Sequence, residues 1–282
     1  MKITAKTKVT GLIGYPVEHS LSPVMHNSAF EALELDYCYV TFSVEPSRLE
    51  EAIRGIRALG IAGINVTIPH KEAVMKFLDR IDEEAREIGA VNTVVNKEGL
   101  LIGYNTDGRG FMASLNENCY FPQGKRVFIV GAGGASKAVA YYLSKEASEL
   151  FIYDIDRQKS LNLVNHLKGH GKVSMAKVTV AEDISTIREA DIVINATPIG
   201  LKPEDPSPVD IELLHKGQIV CDLIYKETRL LREASMKGCQ TINGLGMLLW
   251  QGVFAFELWT GKKPPVEVMR KALMEALGVR LK

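Results

Sequence analysis

Along the first third of the chain, short apolar runs alternate with stretches whose apolar positions recur every three to four residues. The runs at 9–14, 37–44 and 61–68 read as strands and the stretches at 24–35 and 49–59 as helices. Such alternation predicts βα units and a mostly parallel sheet. Pro23 and Pro46 stand where helices should begin, because a first helical turn has no use for the N–H that proline lacks. Two further strands, 90–96 and 100–104, flank Lys97-Glu98-Gly99 and read as a hairpin. Asn105-Thr106-Asp107-Gly108 then leads into a short helix ending near residue 118, and Phe121-Pro122-Gln123-Gly124 marks a border.

Past that border, an apolar strand at 125–130 runs straight into Gly131-Ala132-Gly133-Gly134-Ala135-Ser136 and a helical run to Tyr142. A turn without bulky side chains lets backbone N–H groups close on a pyrophosphate, while the positive end of the following helix faces its charge. The pattern departs from a strict G-x-G-x-x-G, since Ser136 stands where the third glycine would be and Gly134 is extra. An ordinary glycine-rich βα turn is the plainer alternative. A second strand at 149–154, ending in Asp154, supplies the context that a dinucleotide site requires. Continuous apolar runs at 190–197 and 217–225 are strands of the kind buried between two helical layers, and the proline-rich segment 202–208 is a surface loop between them. Two helical patterns, 247–259 and 266–277, close the chain; the first is apolar on nearly every side and is predicted to be buried.

Composition narrows the chemistry. The 282 residues, 46% hydrophobic and 24% charged, suit a globular chain of two domains. Thirty-four basic residues balance thirty-four acidic ones, so no field draws the chain to nucleic acid or an anionic membrane, and small-molecule chemistry is the default. No apolar run approaches the roughly 20 residues of a membrane span, and the opening residues lack a signal-peptide core, so a cytoplasmic location is expected. Cys38, Cys119, Cys221 and Cys239 show no C-x-x-C spacing and read as reduced packing residues. His166 and His170 are four apart but cluster with no carboxylate or cysteine, so no metal site is expected.

Three polar groups fall at predicted strand ends in the leading domain, where open α/β sheets hold ligands: Ser20 and Ser22 before Pro23, Asn65-Val66-Thr67-Ile68-Pro69-His70-Lys71, and Asn92 with Asn105-Thr106-Asp107. Strand alternation would turn Asn65 and Thr67 to one face, with Pro69 ending the strand and Lys71 starting a helix, which aims an amide, a hydroxyl and an ammonium at one rim. Each also has a plainer reading. Lys71 suits a solvated charge in a first helical turn, Asp107 a helix N-cap, and Ser20 and Ser22 caps for the helix at Pro23. Asn65-Val66-Thr67 also fits a glycosylation acceptor, set aside for want of a secretory signal.

Seven blocks, in order, resemble the shikimate dehydrogenase family: Ser20-Leu21-Ser22-Pro23, the segment from Gly63 to Lys71, Gly89-Ala90-Val91-Asn92-Thr93, Tyr104-Asn105-Thr106-Asp107-Gly108, the glycine turn from Gly131 to Ser136, Asn195-Ala196-Thr197-Pro198-Ile199-Gly200, and Gly246-Met247-Leu248-Leu249-Trp250-Gln251. The resemblance covers essentially the whole chain. It implies an α/β fold of two domains. Residues 1–107 with 244–282 would form a βα substrate-binding catalytic domain with a mostly parallel sheet, to which the C-terminal helices return. Residues 108–243 would form a Rossmann-like, doubly wound dinucleotide domain.

The resemblance further implies reversible reduction of 3-dehydroshikimate to shikimate with a nicotinamide cofactor, in the chorismate pathway to aromatic amino acids. On these positions it implies that Ser20 and Ser22 hold the substrate carboxylate, that Asn65, Thr67, Asn92 and Gln251 hold ring hydroxyls, and that Tyr225 reaches the substrate from the nucleotide domain. Lys71 and Asp107 would form the catalytic pair. Gly131, Ala132, Gly133, Gly134, Ala135, Asp154, Thr197, Gly244 and Met247 would line the cofactor. Reducing a ketone builds negative charge on its oxygen, and Lys71 is the group suited to donate a proton to it. The implied partners are the small-molecule substrate and cofactor, with no nucleic acid, membrane or metal, in a monomer or homodimer.

Two features complicate the cofactor and substrate. Family members that use NADP carry Asn-Arg-Thr after the second strand of the nucleotide domain, where this chain has Asp154-Ile155-Asp156. An acid 23 residues after Gly131 is the usual partner of a free ribose 2′-hydroxyl and favours NAD or dual use, whereas the resemblance itself favours NADP. Arg157 and Lys159 lie just beyond and could turn back to neutralise it. Members that favour quinate tend to carry threonine where Ser22 stands, so serine points to shikimate, with an NAD-linked quinate/shikimate dehydrogenase as the alternative. A methylenetetrahydrofolate dehydrogenase shares the two-domain plan but needs a pterin-stacking aromatic that is not identifiable here. A non-catalytic nucleotide-sensing module is opposed by the presence of both Lys71 and Asp107.

Overall fold

A computed structural model describes residues 3–170 and 176–278; of the histidine pair 166/170, the side chain of His170 lies outside the described set. In chain order the elements are β1 (Lys8–Gly14), α1 (Ser22–Ala32), β2 (Tyr37–Ser43), α2 (Leu49–Ala58), β3 (Gly63–Val66), β4 (Arg80–Ile81), α3 (Glu83–Ile88), β5 (Thr93–Lys97), β6 (Leu100–Tyr104) and α4 (Asp107–Glu117). The second series is β7 (Arg126–Val130), α5 (Gly134–Leu143), β8 (Glu149–Tyr153), α6 (Arg157–His170), β9 (Lys177–Val180), β10 (Ile192–Asn195), β11 (Ile219–Asp222), α7 (Arg229–Met236), β12 (Gln240–Ile242), α8 (Leu245–Thr260) and α9 (Val266–Ala276). Two compact units result, one of Met1–Thr106 with Leu249–Lys282 and one of Asp107–Leu248.

The first unit's sheet has the order β2-β1-β3-β5-β6-β4. β1 is parallel to β2 and β3, and β4 to β6, while β5 is antiparallel to both β3 and β6. The antiparallel insert is the hairpin read from the sequence. Its two turn residues, Glu98 (φ 55°) and Gly99 (φ 91°), both take the left-handed region that suits a two-residue hairpin turn. Its first strand starts at Thr93 rather than residue 90, so Asn92 lies just ahead of it. On one face of the sheet, Ile53 and Ile56 of α2 pack with Ile13, Ile64, Val66, Val94 and Leu101.

Above the sheet's other face, α1 packs on α9 and carries an aromatic stack. His26 lies against Tyr39 at 4.5 Å with 16° between the rings, and parallel to Phe256 at 6.4 Å and 1°. α8 reaches this layer because two positions at its contacts, Gly252 on α8 itself and Gly63 on β3, have no side chain. A Cβ at Gly252 would run into Met25, and one at Gly63 into the Trp259 indole, whose Nε1 donates to Val94 O at 3.0 Å.

The second sheet is parallel throughout, in the order β12-β11-β10-β7-β8-β9. The order reverses direction between β7 and β10, the point at which such doubly wound sheets hold ligands. Phe128, Val193 and Val220 on its central strands pack with Ile187, Leu213, Leu230 and Leu231. No helix of the described residues is long and apolar enough to cross a membrane.

His26 makes the first unit acid-sensitive. Its ring is fully buried, both nitrogens lack a hydrogen-bond partner among the described residues, and burial pushes its pKa down to about 3. The unfolded chain therefore takes up a proton as pH falls below about 6.5, whereas the folded chain resists until far lower, so stability falls with pH across that window. Denaturant unfolding of wild type and His26→Phe should differ in pH dependence, the variant losing about 2 kcal/mol less between pH 7 and pH 5. Parallel losses in the two proteins would contradict the assignment.

Candidate active site

Strand direction alone brings four segments of the first unit to one sheet edge. β1 and β3 are parallel, with Ile13 opposite Val66, so both end there. β5, antiparallel with Thr93 opposite Asn65, begins there, and β6 ends there with Tyr104 opposite Thr93. β1 also leads to β2 on one side and borders β3 on the other, which makes this the switch point of the sheet. Ser20 and Ser22 follow β1, Thr67 and Lys71 follow β3, Asn92 precedes β5, and Asn105 and Thr106 follow β6.

Side-chain amides bind these segments together. Asn65, buried on β3, donates through Nδ2 to Asn92 O at 3.2 Å and Thr93 Oγ1 at 3.1 Å, and its Oδ1 accepts from the Tyr39 hydroxyl at 2.8 Å. Asn92, 2% exposed, accepts at Oδ1 from the Thr106 N–H at 2.8 Å and the Thr93 hydroxyl at 2.9 Å, and donates to Thr106 Oγ1 at 3.0 Å. Asn105 donates to Ala90 O at 2.9 Å. The chain then passes to buried Asp107, the first residue of α4, which belongs to the second unit.

Two sequence expectations change here. β3 stops at Val66, so Thr67 lies in the turn beyond it rather than on a strand face shared with Asn65. Lys71 does not begin a helix either; the following 3-10 helix starts at Ala73. The turn has other anchors: Thr67 N–H donates to Ile13 O at 2.9 Å, His70 N–H to Thr67 O at 2.9 Å, and Val91 N–H to Lys71 O at 2.8 Å. Buried His70 also bonds Val44 O at 2.7 Å through Nε2, which must carry the proton because a carbonyl only accepts. This leaves Lys71 half-buried, with its own carbonyl tied to Val91, the residue before Asn92. The capping reading of the serines also changes. Leu21 takes the N-cap place of α1 without a side-chain bond, buried Ser22 is the first helical residue, and Ser20 Oγ accepts the Ser22 N–H at 3.2 Å. Gln251 is buried on α8.

In the second unit the glycine turn follows β7 at the switch point. Gly131 has φ +103°, a conformation that strains any side chain, and a Cβ there would press on the Ala196 backbone at 3.0 Å. A Cβ at Gly133 would meet open space, and α5 starts at Gly134, so the turn presents bare backbone at a helix N-terminus. Ser136, at the place of the third glycine, is buried and donates to Gly131 O at 2.6 Å, so its hydroxyl fastens the turn. Asp154 accepts from the Ala132 N–H at 2.8 Å and the Asp156 N–H at 2.9 Å. This backbone cradle fits the pyrophosphate of a dinucleotide.

Thr197 is held by Asn195, whose Oδ1 accepts from the Thr197 N–H at 3.1 Å and its hydroxyl at 2.7 Å. Asn195 in turn donates to Asp222 at 3.0 Å, and Thr228 donates to the same carboxylate at 2.7 Å. Burial raises the Asp222 carboxyl above its usual range against these bonds. Burial likewise raises the half-buried Tyr225 phenol. Gly244 admits the Leu223 backbone where a Cβ would collide with it, and Met247 is buried on α8.

Three family profiles match in register: the shikimate dehydrogenase substrate binding domain over residues 12–94, shikimate / quinate 5-dehydrogenase over 117–200, and the shikimate 5′-dehydrogenase C-terminal domain over 244–274. A shikimate dehydrogenase (NADP+) of Methanopyrus kandleri is 47% identical over 285 residues, covering 98% of each chain. This chain belongs to the shikimate dehydrogenase family. A crystal structure of a shikimate dehydrogenase in complex with NADP+ superposes with a TM-score of 0.90 at 45% identity, covering 98% of this chain and 97% of that one. The shikimate 5-dehydrogenase of Listeria monocytogenes, in complex with shikimate and NAD, gives 0.87 at 39% identity, covering 97% and 98%.

The residues that sequence reasoning missed are those that hold the others: Tyr39, Thr93, Thr106, His70, Asn195 and Asp222. The available signal was a polar side chain inside an apolar strand, as at Asn195 and Tyr39. Because the Asn92 side chain satisfies buried groups of Thr93 and of Thr106 beyond β6, Asn92→Ala should lower the unfolding free energy by about 2–4 kcal/mol, beyond any effect on ligand binding. Denaturant titration without ligand checks this; an unchanged midpoint would show that the network does not hold the edge.

Proposed function

We propose that this protein is a shikimate dehydrogenase, reversibly reducing 3-dehydroshikimate to shikimate with a nicotinamide dinucleotide in the chorismate pathway. The reading is carried by the convergence of hydroxyls, amides and the half-buried Lys71 on one edge of the first sheet. Such a set suits a small polyhydroxy acid. Ser20 and Ser22 donate hydroxyl hydrogens to its carboxylate. Asn65, Thr67, Asn92 and Gln251 bond its ring hydroxyls, and Tyr225 is a further candidate substrate ligand.

A bound nicotinamide supplies a hydride to the substrate carbon or takes one from it. Lys71 Nζ donates a proton to the carbonyl oxygen as negative charge develops there, and takes it back in the reverse direction. Asp107 is the carboxylate that balances and orients this ammonium. Lys71→Ala should therefore lower kcat by about 10²–10⁴-fold with little change in KM for shikimate, and Asp107→Asn should lower kcat in the same direction. A large KM change with kcat intact would reassign Lys71 to binding.

The bare turn from Gly131 to Ala135 receives the cofactor's pyrophosphate, with Asp154, Thr197, Gly244 and Met247 along its length. The relatives are named for NADP, but the loop after β8 favours NAD as a second, usable cofactor. Asp154 keeps lone pairs for a ribose 2′-hydroxyl, and facing a 2′-phosphate it would set like charges together. Ile155, 96% exposed, offers no positive charge where an arginine would stand. Initial rates with shikimate and with quinate, each under NAD and NADP, test substrate and cofactor together; shikimate should be preferred, with turnover under both dinucleotides. Replacing Asp154-Ile155 by Asn-Arg keeps an acceptor for the Ala132 N–H and should move the NADP/NAD ratio of kcat/KM toward NADP by about tenfold or more. An unmoved ratio would assign cofactor choice to Arg157 or Lys159.

A further inference from the structure

The Tyr39 hydroxyl, bonded to Asn65, has no part in the catalytic and ligand-binding roles given so far. Its ring is 2% exposed, stacked on His26 at 4.5 Å and tilted against Trp259 at 5.9 Å and 46°. A phenol has one hydrogen and two acceptor positions, and the neighbouring amide fixes where the hydrogen goes. The Asn92 backbone carbonyl can only accept, so Asn65 must face it with Nδ2, which turns Oδ1 toward Tyr39 Oη at 2.8 Å. The phenol hydrogen is thus committed to Asn65.

We propose that Tyr39 is a positioning residue for the substrate, its hydroxyl bonding Asn65 on β3 and holding that amide in place before substrate arrives. The inference rests on the reading of Asn65 as a substrate ligand. It also specifies what Asn65 can recognise. Both of its amide hydrogens are taken, by Asn92 O and Thr93 Oγ1, so it offers substrate only the remaining lone pair of Oδ1. An acceptor of that kind selects a substrate O–H at this point and rejects a carbonyl. The ring keeps its stack whether or not it carries a hydroxyl, so the two contributions separate cleanly.

Tyr39→Phe tests this, with shikimate binding measured by calorimetry alongside steady-state kinetics. The variant should raise both Kd and KM for shikimate about five- to thirtyfold, with kcat and the KM of the dinucleotide within about twofold of wild type. In an Asn65→Ala background the same substitution should add less than about twofold, because the group it orients is gone. Unchanged shikimate affinity in Tyr39→Phe, an undiminished effect in the Asn65→Ala background, or a uniform loss of every parameter with a lowered Tm would each overturn the inference. Wild-type protein that neither binds nor oxidises shikimate would overturn the functional reading itself, and this inference with it.

Discussion

One buried amide sets the geometry of the first unit. Asn92 sits at the entrance to β5 and bonds Thr93 beside it and Thr106 at the exit of β6, while its own carbonyl receives Asn65 from β3. Leaving any of these groups unpaired so far from water would cost more than the bonds gain, so the arrangement is held all together or not at all. Thr67 and Lys71 lie within a few residues of a strand end that this network pins, and the turn that carries them is further anchored by Ile13, Val44 and Val91. The catalytic reading needs no special strain; it needs four segments ending at one edge and a reason for them to stay there.

Much of this was legible in the sequence. The apolar runs located β1, β2, β6, β7 and β8 to within a residue or so, since buried and half-buried strands both concentrate apolar, β-branched and aromatic residues. The glycine turn was legible because Gly131 needs a positive φ that other residues avoid. Short elements escaped: β4 has two residues, β12 three, and α3 six, too few for any periodicity to register. Thr67 and Lys71 were assigned to a strand and a helix because local pattern favoured them, yet distant contacts from Ile13, Val44 and Val91 decided the turn. Such contacts join residues that are far apart in the chain, and no local window contains them.

The two units divide the recognition problem. In the first, the proposed site offers neutral hydroxyls and amides to a polyhydroxy acid, with Asn65 and Asn92 held by other buried polar groups. In the second, backbone N–H groups and a helix terminus meet a charged cofactor, and the side chains nearby mainly keep the turn open: Ser136 fastens it, Asp154 braces Ala132, and Asn195 with Asp222 fixes Thr197. Asp154 thereby holds two positions at once, as a brace for the glycine turn and as the charge nearest the expected ribose. Family membership alone would not distinguish this chain's loop from that of relatives named for NADP.

The account stands most directly on where Lys71 meets the substrate. A crystal structure of the wild-type protein with shikimate bound should place Lys71 Nζ within about 3.2 Å of the hydroxyl oxygen that is oxidised, with the carboxylate on Ser20 and Ser22. Shikimate bound away from this sheet edge, or a Lys71 ammonium turned from that oxygen, would contradict it.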